Sequence, residues 1–277
     1  MTALPQQPRF SSIDKYNGIP MCSLDDIQQF VAHEISPHRT LIRHLVYYRI
    51  PPNTISGVPG NLYLLKSRTT VREIQMILAA GDCAVKIRMV LTRTNKVLNP
   101  QATAPDGFLM DVKMPLDSAF LRSLESHELR ELVDQIIHLL LKLHAPPYEI
   151  VHGDLKPDNI VYCSSKRQPL FIDFEMAQYT HSSTFDDTQQ STPKYRSPRR
   201  VSMGYNVDNP VRKEDDYYAL AWTVYEIMTG KGPFPDKSDS EALEAIRKGE
   251  QPDLSQISES QLRETLDYYL KKGNRWT

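Results

Sequence analysis

The chain has 277 residues, of which 40% are apolar and 24% charged, with a formal net charge of −1. That length allows one large domain or two smaller ones with a real core. So balanced a charge supplies no field that would favour nucleic acid or an anionic membrane. Three cysteines, Cys22, Cys83 and Cys163, are an odd number without metal-ligand spacing, which predicts reduced thiols in a cytoplasmic or nuclear protein. The first residues lack the basic-then-apolar pattern of a secretory leader. No apolar run reaches the roughly 18 residues of a membrane span.

In chain order, residues 1–20 are Pro/Gln-rich and predict a flexible lead-in. Ser23 with Asp26 has the form of a capping box. Leu24, Ile27, Phe30 and Val31 share a helical face, and Pro37 stops the pattern, so residues 21–38 are expected to be a helical extension. Residues 39–113 then turn strand-like. Leu45 to Ile50 is rich in β-formers and ends at Pro51-Pro52, and Asn61 to Lys66 is a second strand. Thr69 or Thr70 can cap a helix through Val71, Ile74, Ile77 and Leu78 that ends near Gly81. Val85 to Leu91 and Phe108 to Val112 add two more strands.

Residues 114–277 are mainly helical. Ser126 can cap a helix whose Leu129, Leu132, Val133, Ile136, Leu140 and Leu143 keep the helical period, ending before Pro146-Pro147. A Ser/Thr/Asp-rich loop runs from Thr180 to Thr192. A very apolar helix from Tyr217 to Met228 ends at Gly230. Weaker helices are expected near Glu241–Lys248 and Ser258–Lys272.

The chemistry concentrates in Val151-His152-Gly153-Asp154-Leu155-Lys156-Pro157-Asp158-Asn159-Ile160 and in Phe171-Ile172-Asp173-Phe174-Glu175. Moving a phosphoryl group from ATP needs a carboxylate to orient the hydroxyl and oxygen ligands to hold Mg²⁺ on the phosphates. This stretch supplies them in Asp154, Asn159 and Asp173. It resembles the catalytic loop H-R-D-x-K-x-x-N and the metal motif D-F-G of the eukaryotic protein kinases. Gly153 replaces the family's arginine and Glu175 its glycine. The resemblance covers roughly residues 40–277, strongly in the second half and thinly in the first.

The resemblance implies an α+β, bilobal kinase-like fold with a small β-rich lobe, residues 39–113, a larger helical lobe, residues 114–277, and MgATP between them. It makes Asp154 the hydroxyl-orienting group, Lys156 the cation that offsets charge on the migrating phosphoryl group, and Asn159 and Asp173 the metal ligands. His152 would pack the loop. Glu175 puts a side chain where the family keeps a flexible glycine. Lys66 would meet the α- and β-phosphates with Glu73 as its partner. Lys86 is a rival in Ala84-Val85-Lys86, but it leaves too little chain for the helix that must follow. Met110, Asp111 and Lys113 would form the adenine-binding hinge. The expected phosphate loop, Ile55-Ser56-Gly57-Val58-Pro59-Gly60, departs from G-x-G-x-x-G, and its Pro59 lacks an N–H, so it reads as a plain turn.

Ser191 to Arg199 resembles the end of a kinase activation segment, with Thr192 where serine/threonine kinases contact the catalytic Asp and Lys. Asp216 matches the family aspartate that caps the catalytic loop. Arg199 stands where the family has a glutamate that pairs with an arginine; Arg275 fits that second slot, and two arginines there would repel. Without an arginine at 153, little dependence on activation-loop phosphorylation is expected, although Thr184, Thr188 and Ser191 are available. The implied function is a protein serine/threonine kinase using ATP and Mg²⁺ on protein substrates, with no nucleic-acid or membrane partner. The alternatives are a pseudokinase acting as a binding module and a small-molecule phosphotransferase of the aminoglycoside or choline kinase type, which also writes H-G-D.

Overall fold

In a computed structural model the described residues are 15–16, 18–30, 45–55, 58–67, 69–92, 105–182, 191–203 and 210–274. They form two compact units, one from the chain up to Leu78 and from Val85–Lys113, the other from Ala79–Ala84 and from Met114 onward.

The first unit contains β1 (Lys15–Tyr16), β2 (Ile19–Ser23), α1 (Leu24–Ile27), β3 (Leu45–Ile50), β4 (Asn61–Ser67), most of α2 (Val71–Ala80), β5 (Ile87–Thr92) and β6 (Gly107–Asp111). Its six-stranded sheet runs β1-β2-β5-β6-β4-β3. The β3–β4–β6–β5 ladder is antiparallel, whereas β2 joins β5 in parallel, with Met21 opposite Val90. Tyr48, Ile50, Tyr63, Leu65, Met89, Leu91 and Leu109 pack with Ile27 as one buried cluster. Each such side chain contributes about 2 kcal/mol of burial.

Two expectations need correction. The lead-in placed at residues 1–20 carries β1 and the start of β2, and the helical extension placed at 21–38 shortens to α1 and one 3-10 turn, Gln28–Phe30. The part of that extension beyond residue 30 lies outside the described residues. Ile19–Ser23 alternates, with Met21 and Ser23 buried. An uncovered β5 edge would leave a row of N–H and C=O groups unpaired. Pairing that edge wins over the helical pattern, and Ser23 becomes the strand end directly before α1.

The second unit contains β7 (Met114–Pro115), α3 (Ser118–Ser123), α4 (Ser126–His144), β8 (Ile150–Val151), β9 (Ile160–Cys163), β10 (Gln168–Phe171), β11 (Gln178–Tyr179), α5 (Pro198–Met203), α6 (Lys213–Thr229), α7 (Asp239–Arg247) and α8 (Ser260–Gly273). α4 buries Leu132, Val133, Ile136, Leu140 and Leu143 along one face. Its cap is Glu125 rather than Ser126: Glu125 N–H donates to the Glu128 carboxylate at 2.9 Å, and Ser126 is already helical. α6 is buried on nearly all sides and stops at Gly230, whose φ of 71° suits glycine. It begins four residues earlier than its apolar run, because the acidic first turn Glu214-Asp215-Asp216 favours a helix N-terminus. Among the described residues no helix is long and apolar enough to cross a membrane.

Strand pairing positions the chemistry. β8 pairs with β11, Val151 opposite Gln178, and β9 pairs with β10, Ile160 opposite Phe171. Residues 152–159 connect β8 to β9, and 172–177 connect β10 to β11. The two ladders therefore hold the two motif-bearing connections side by side.

Candidate active site

His152 is the post of this arrangement. It is buried, its Nε2 lies 3.0 Å from the Ile172 carbonyl oxygen, and its ring packs against Phe171 and Phe174 at 5.4 and 5.0 Å. Ile172 N–H donates to the Asn159 carbonyl at 3.0 Å, which sets Asp173 one residue beyond Asn159. Asp173 itself has φ of 62°, so the left-handed turn of this motif falls on the aspartate and not on Glu175.

Asp216 holds the loop from below. Its Oδ1 accepts from Gly153 N–H at 2.9 Å, and its Oδ2 from His152 N–H at 2.7 Å, with His144 Nε2 2.8 Å away. Gly153 turns through φ of +80°, and a Cβ there would stand 2.6 Å from the Met176 carbonyl oxygen. The missing family arginine thus reflects a backbone turn that admits no side chain.

Above this turn, Asp154 gathers the rest. Asn159 Nδ2 donates to the Asp154 carbonyl at 2.7 Å and to its Oδ2 at 3.0 Å, and Lys156 Nζ donates to the same Oδ2 at 3.0 Å. Thr192 N–H donates to Oδ1 at 2.7 Å, and Lys156 Nζ also reaches Thr192 Oγ1. One carboxylate, one ammonium and one threonine from the segment at 191–199 form a closed set.

That segment is fastened along its length. Arg196 donates to the Ser191 carbonyl and hydroxyl, and Lys194 Nζ donates to the carbonyls of Phe234 and Lys237 at 3.1 and 2.7 Å. The Tyr195 hydroxyl donates to Glu226. Burial pushes the Glu226 carboxyl above its ordinary value despite that hydrogen bond, and burial followed by the Glu226 charge pushes the Tyr195 phenol up. Arg199 forms a buried ion pair with Asp215, an anchor the sequence did not name, while its expected counterpart Arg275 lies outside the described residues. Sequence reasoning singled out Asp216 and passed over Asp215, although the Glu-Asp-Asp run opening α6 was a visible signal.

In the first unit, Lys66 Nζ pairs with Glu73, both buried. Thr70 Oγ1 accepts from Glu73 N–H at 3.0 Å and so caps α2, and Thr69 Oγ1 donates to Glu73 Oε2 at 2.7 Å. Seven positions suffice because the helix starts at once. The rival Lys86 is exposed. Met110 is buried in β6, while Asp111 at its end is held by Arg88 at 2.7 and 2.8 Å, with Lys113 3.7 Å away. Burial raises the Asp111 pKa, but the hydrogen bonds and charge of Arg88 outweigh it and leave the carboxyl below its ordinary value. Of the expected phosphate loop, residues 56–57 lie outside the described residues. Around them Ile55 and Val58 are buried, and a Cβ on Gly60 would meet the Pro52 nitrogen at 2.4 Å, the packing of a tight turn. Thr184 and Thr188 are likewise outside the described residues.

A β-rich unit, a helical unit, and a loop joining Asp154, Lys156 and Asn159 define a kinase-like phosphotransferase architecture. The sequence matches the family model of the protein kinase domain over residues 66–272, and the chain belongs to that family. It is 28% identical over 144 residues to the serine/threonine-protein kinase cds1 of Schizosaccharomyces pombe, covering 51% of this chain and 30% of that protein. It is 33% identical over 88 residues to the dual specificity mitogen-activated protein kinase kinase jkk-1 of Caenorhabditis elegans, covering 32% and 20%. A putative serine/threonine-protein kinase of Mycoplasma genitalium is 25% identical over 239 residues, covering 75% of this chain and 60% of that protein. The chain therefore spans less than two thirds of the length of these relatives.

The family's reaction uses a divalent cation, and the oxygen donors here suit a hard one. Asn159 is almost fully buried and turns its amide nitrogen to Asp154, so that among the described residues its Oδ1 has no hydrogen bond, and the Ile172 N–H bond to the Asn159 carbonyl places the backbone of Asp173 in the adjoining connection.

Proposed function

We propose that this chain is a protein serine/threonine kinase that transfers the γ-phosphate of ATP to a hydroxyl of a protein substrate. The observation that carries the reading is the Asp154–Lys156–Thr192 set. It ties the catalytic carboxylate to the segment at 191–199, which small-molecule phosphotransferases of the H-G-D type usually lack.

An ionised carboxylate offers about four lone-pair directions. In Asp154, Oδ2 takes Lys156 and Asn159, and Oδ1 takes Thr192 N–H. One direction on Oδ1 remains for an acceptor hydroxyl, so Asp154 would align that oxygen and receive its proton. Lys156, 3.0 Å from Asp154, would offset negative charge on the transferring group. Asn159 Oδ1 and Asp173 would hold Mg²⁺, which supplies charge neutralisation on the phosphates. Lys66, fixed by Glu73, would bind the α- and β-phosphates, and the β6 end with Met110, Asp111 and Lys113 would meet the adenine. Thr192 favours serine or threonine as acceptor.

The test is incubation of the purified protein with labelled MgATP and a mixed protein substrate, with Asp173→Ala as control. Label on serine or threonine from the wild type alone is expected. Label confined to aminoglycosides or choline overturns the reading, as does a MgATP-induced rise in melting temperature without transfer.

A further inference from the structure

We propose that Arg199 and Asp215 are the positioning pair that holds the segment at 191–199 for the protein substrate, with the charges opposite to those the kinase family uses at position 199. This rests on the reading of the chain as a protein kinase. The side chains are only 3% and 7% exposed. Arg199 Nε donates to Asp215 Oδ1 at 3.2 Å, and Nη2 donates both to Oδ2 and to the Pro210 carbonyl at 3.0 Å. Asp215 Oδ1 also accepts from the Ser197 hydroxyl, and Oδ2 from Arg212 N–H at 2.8 Å. Four donors fill the carboxylate. One side chain at the start of α6 thereby fixes residues 197, 199 and 212 together.

The consequence runs to the catalytic set through the chain itself. Asp216, the next residue, holds His152 and Gly153, and Thr192, seven residues before Arg199, bonds Asp154. The first turn of α6 thus carries the catalytic loop on one carboxylate and the Thr192 segment on the other. A glutamate at 199, the family's residue, would face Asp215 across a hydrogen-bond distance with like charge. Among the described residues the segment is anchored within its own unit.

The variants Asp215→Asn, Arg199→Met, Arg199→Glu and Arg199→Met/Asp215→Asn test this. Asn keeps an oxygen for Arg212 N–H, and the double variant removes both buried charges, which restores much of the stability lost by either single change. Each single change is expected to lower kcat/KM for a peptide substrate at least tenfold while the MgATP-induced melting shift remains, with Arg199→Glu the worst. The double variant is expected to recover melting temperature without recovering peptide kcat/KM. Trypsin cleavage after Lys194 and Arg196 in the native protein should be at least tenfold faster in Asp215→Asn. Recovery of kcat/KM together with stability in the double variant would make the pair merely structural and overturn the proposal. An unchanged trypsin rate in Asp215→Asn overturns it even if the wild type transfers no phosphate, an outcome that separately removes the kinase reading.

Discussion

Restoring the family's arginine at position 153 should damage this protein. The φ of +80° costs a non-glycine residue about 1–2 kcal/mol. A Cβ 2.6 Å from the Met176 carbonyl oxygen meets backbone that cannot swing aside, which adds about 1–3 kcal/mol. The sum is about 3 kcal/mol, or a fall in melting temperature of about 6–12 °C for a unit of this size. Gly153→Ala isolates the backbone term and should carry most of the loss. Because Gly153 N–H bonds Asp216 and Asp154 is the next residue, any relief by movement of the loop displaces the carboxylate. A shift of about 1 Å in a reacting group costs about 10²-fold in rate. Differential scanning fluorimetry gives the stability and peptide phosphorylation the rate, with Gly153→Ala and Gly153→Arg beside the wild type. Either variant keeping wild-type melting and activity would refute the claim that the turn itself excludes a side chain.

Phosphatase treatment of the purified protein should leave peptide phosphorylation within about twofold, since no arginine at 153 awaits an activation-loop phosphate; abolished activity would refute this. Lys66→Ala should cost about 3 kcal/mol because Glu73 stays buried without its ammonium partner, and Lys66→Ala/Glu73→Ala should recover part of that loss in urea melts; strict additivity would deny the coupling. Glu226→Gln should raise stability at pH 7. The native Glu226 carboxyl binds its proton more tightly than the unfolded one, whose ordinary pKa is 4.5. Wild-type stability therefore declines as pH rises from about that value through the folded one, and the difference between the proteins fades below it. Parallel pH–stability curves would refute the burial argument.

The sequence displayed most of what local chemistry decides. Apolar period and capping marked α2, α4 and α6 to within a few residues, and the offsets from Asp154 to Lys156 and Asn159 named the residues that the structure brings into hydrogen-bond contact. The misses came from partners distant in sequence. Ile19 and Pro20 read as loose chain, and residues 21–23 as the start of a helix, until β5 offers an edge about 70 residues on. The strands β8 and β11 are two residues each and carry no periodicity; only their mutual pairing defines them. Arg199 looked repelled because Asp215, the carboxylate it pairs with, was passed over beside Asp216. Gly153 looked like a lost function, whereas its φ and the nearby Met176 carbonyl make it a steric requirement.

These features converge on α6. A phosphate-dependent kinase leaves the activation segment underdetermined until a phosphate binds a cationic pocket. Here residues 191–199 of that segment meet fixed partners: Lys156 and Asp154 at Thr192, the Phe234 and Lys237 carbonyls at Lys194, Glu226 at Tyr195, and Asp215 at Ser197 and Arg199. Two of those anchors, Asp215 and Glu226, lie on α6, and Asp216 between them holds the catalytic loop. Because α6 is buried on nearly all sides, it cannot shift without breaking the core of its unit. The order that other kinases gain from a phosphate would then be supplied by packing.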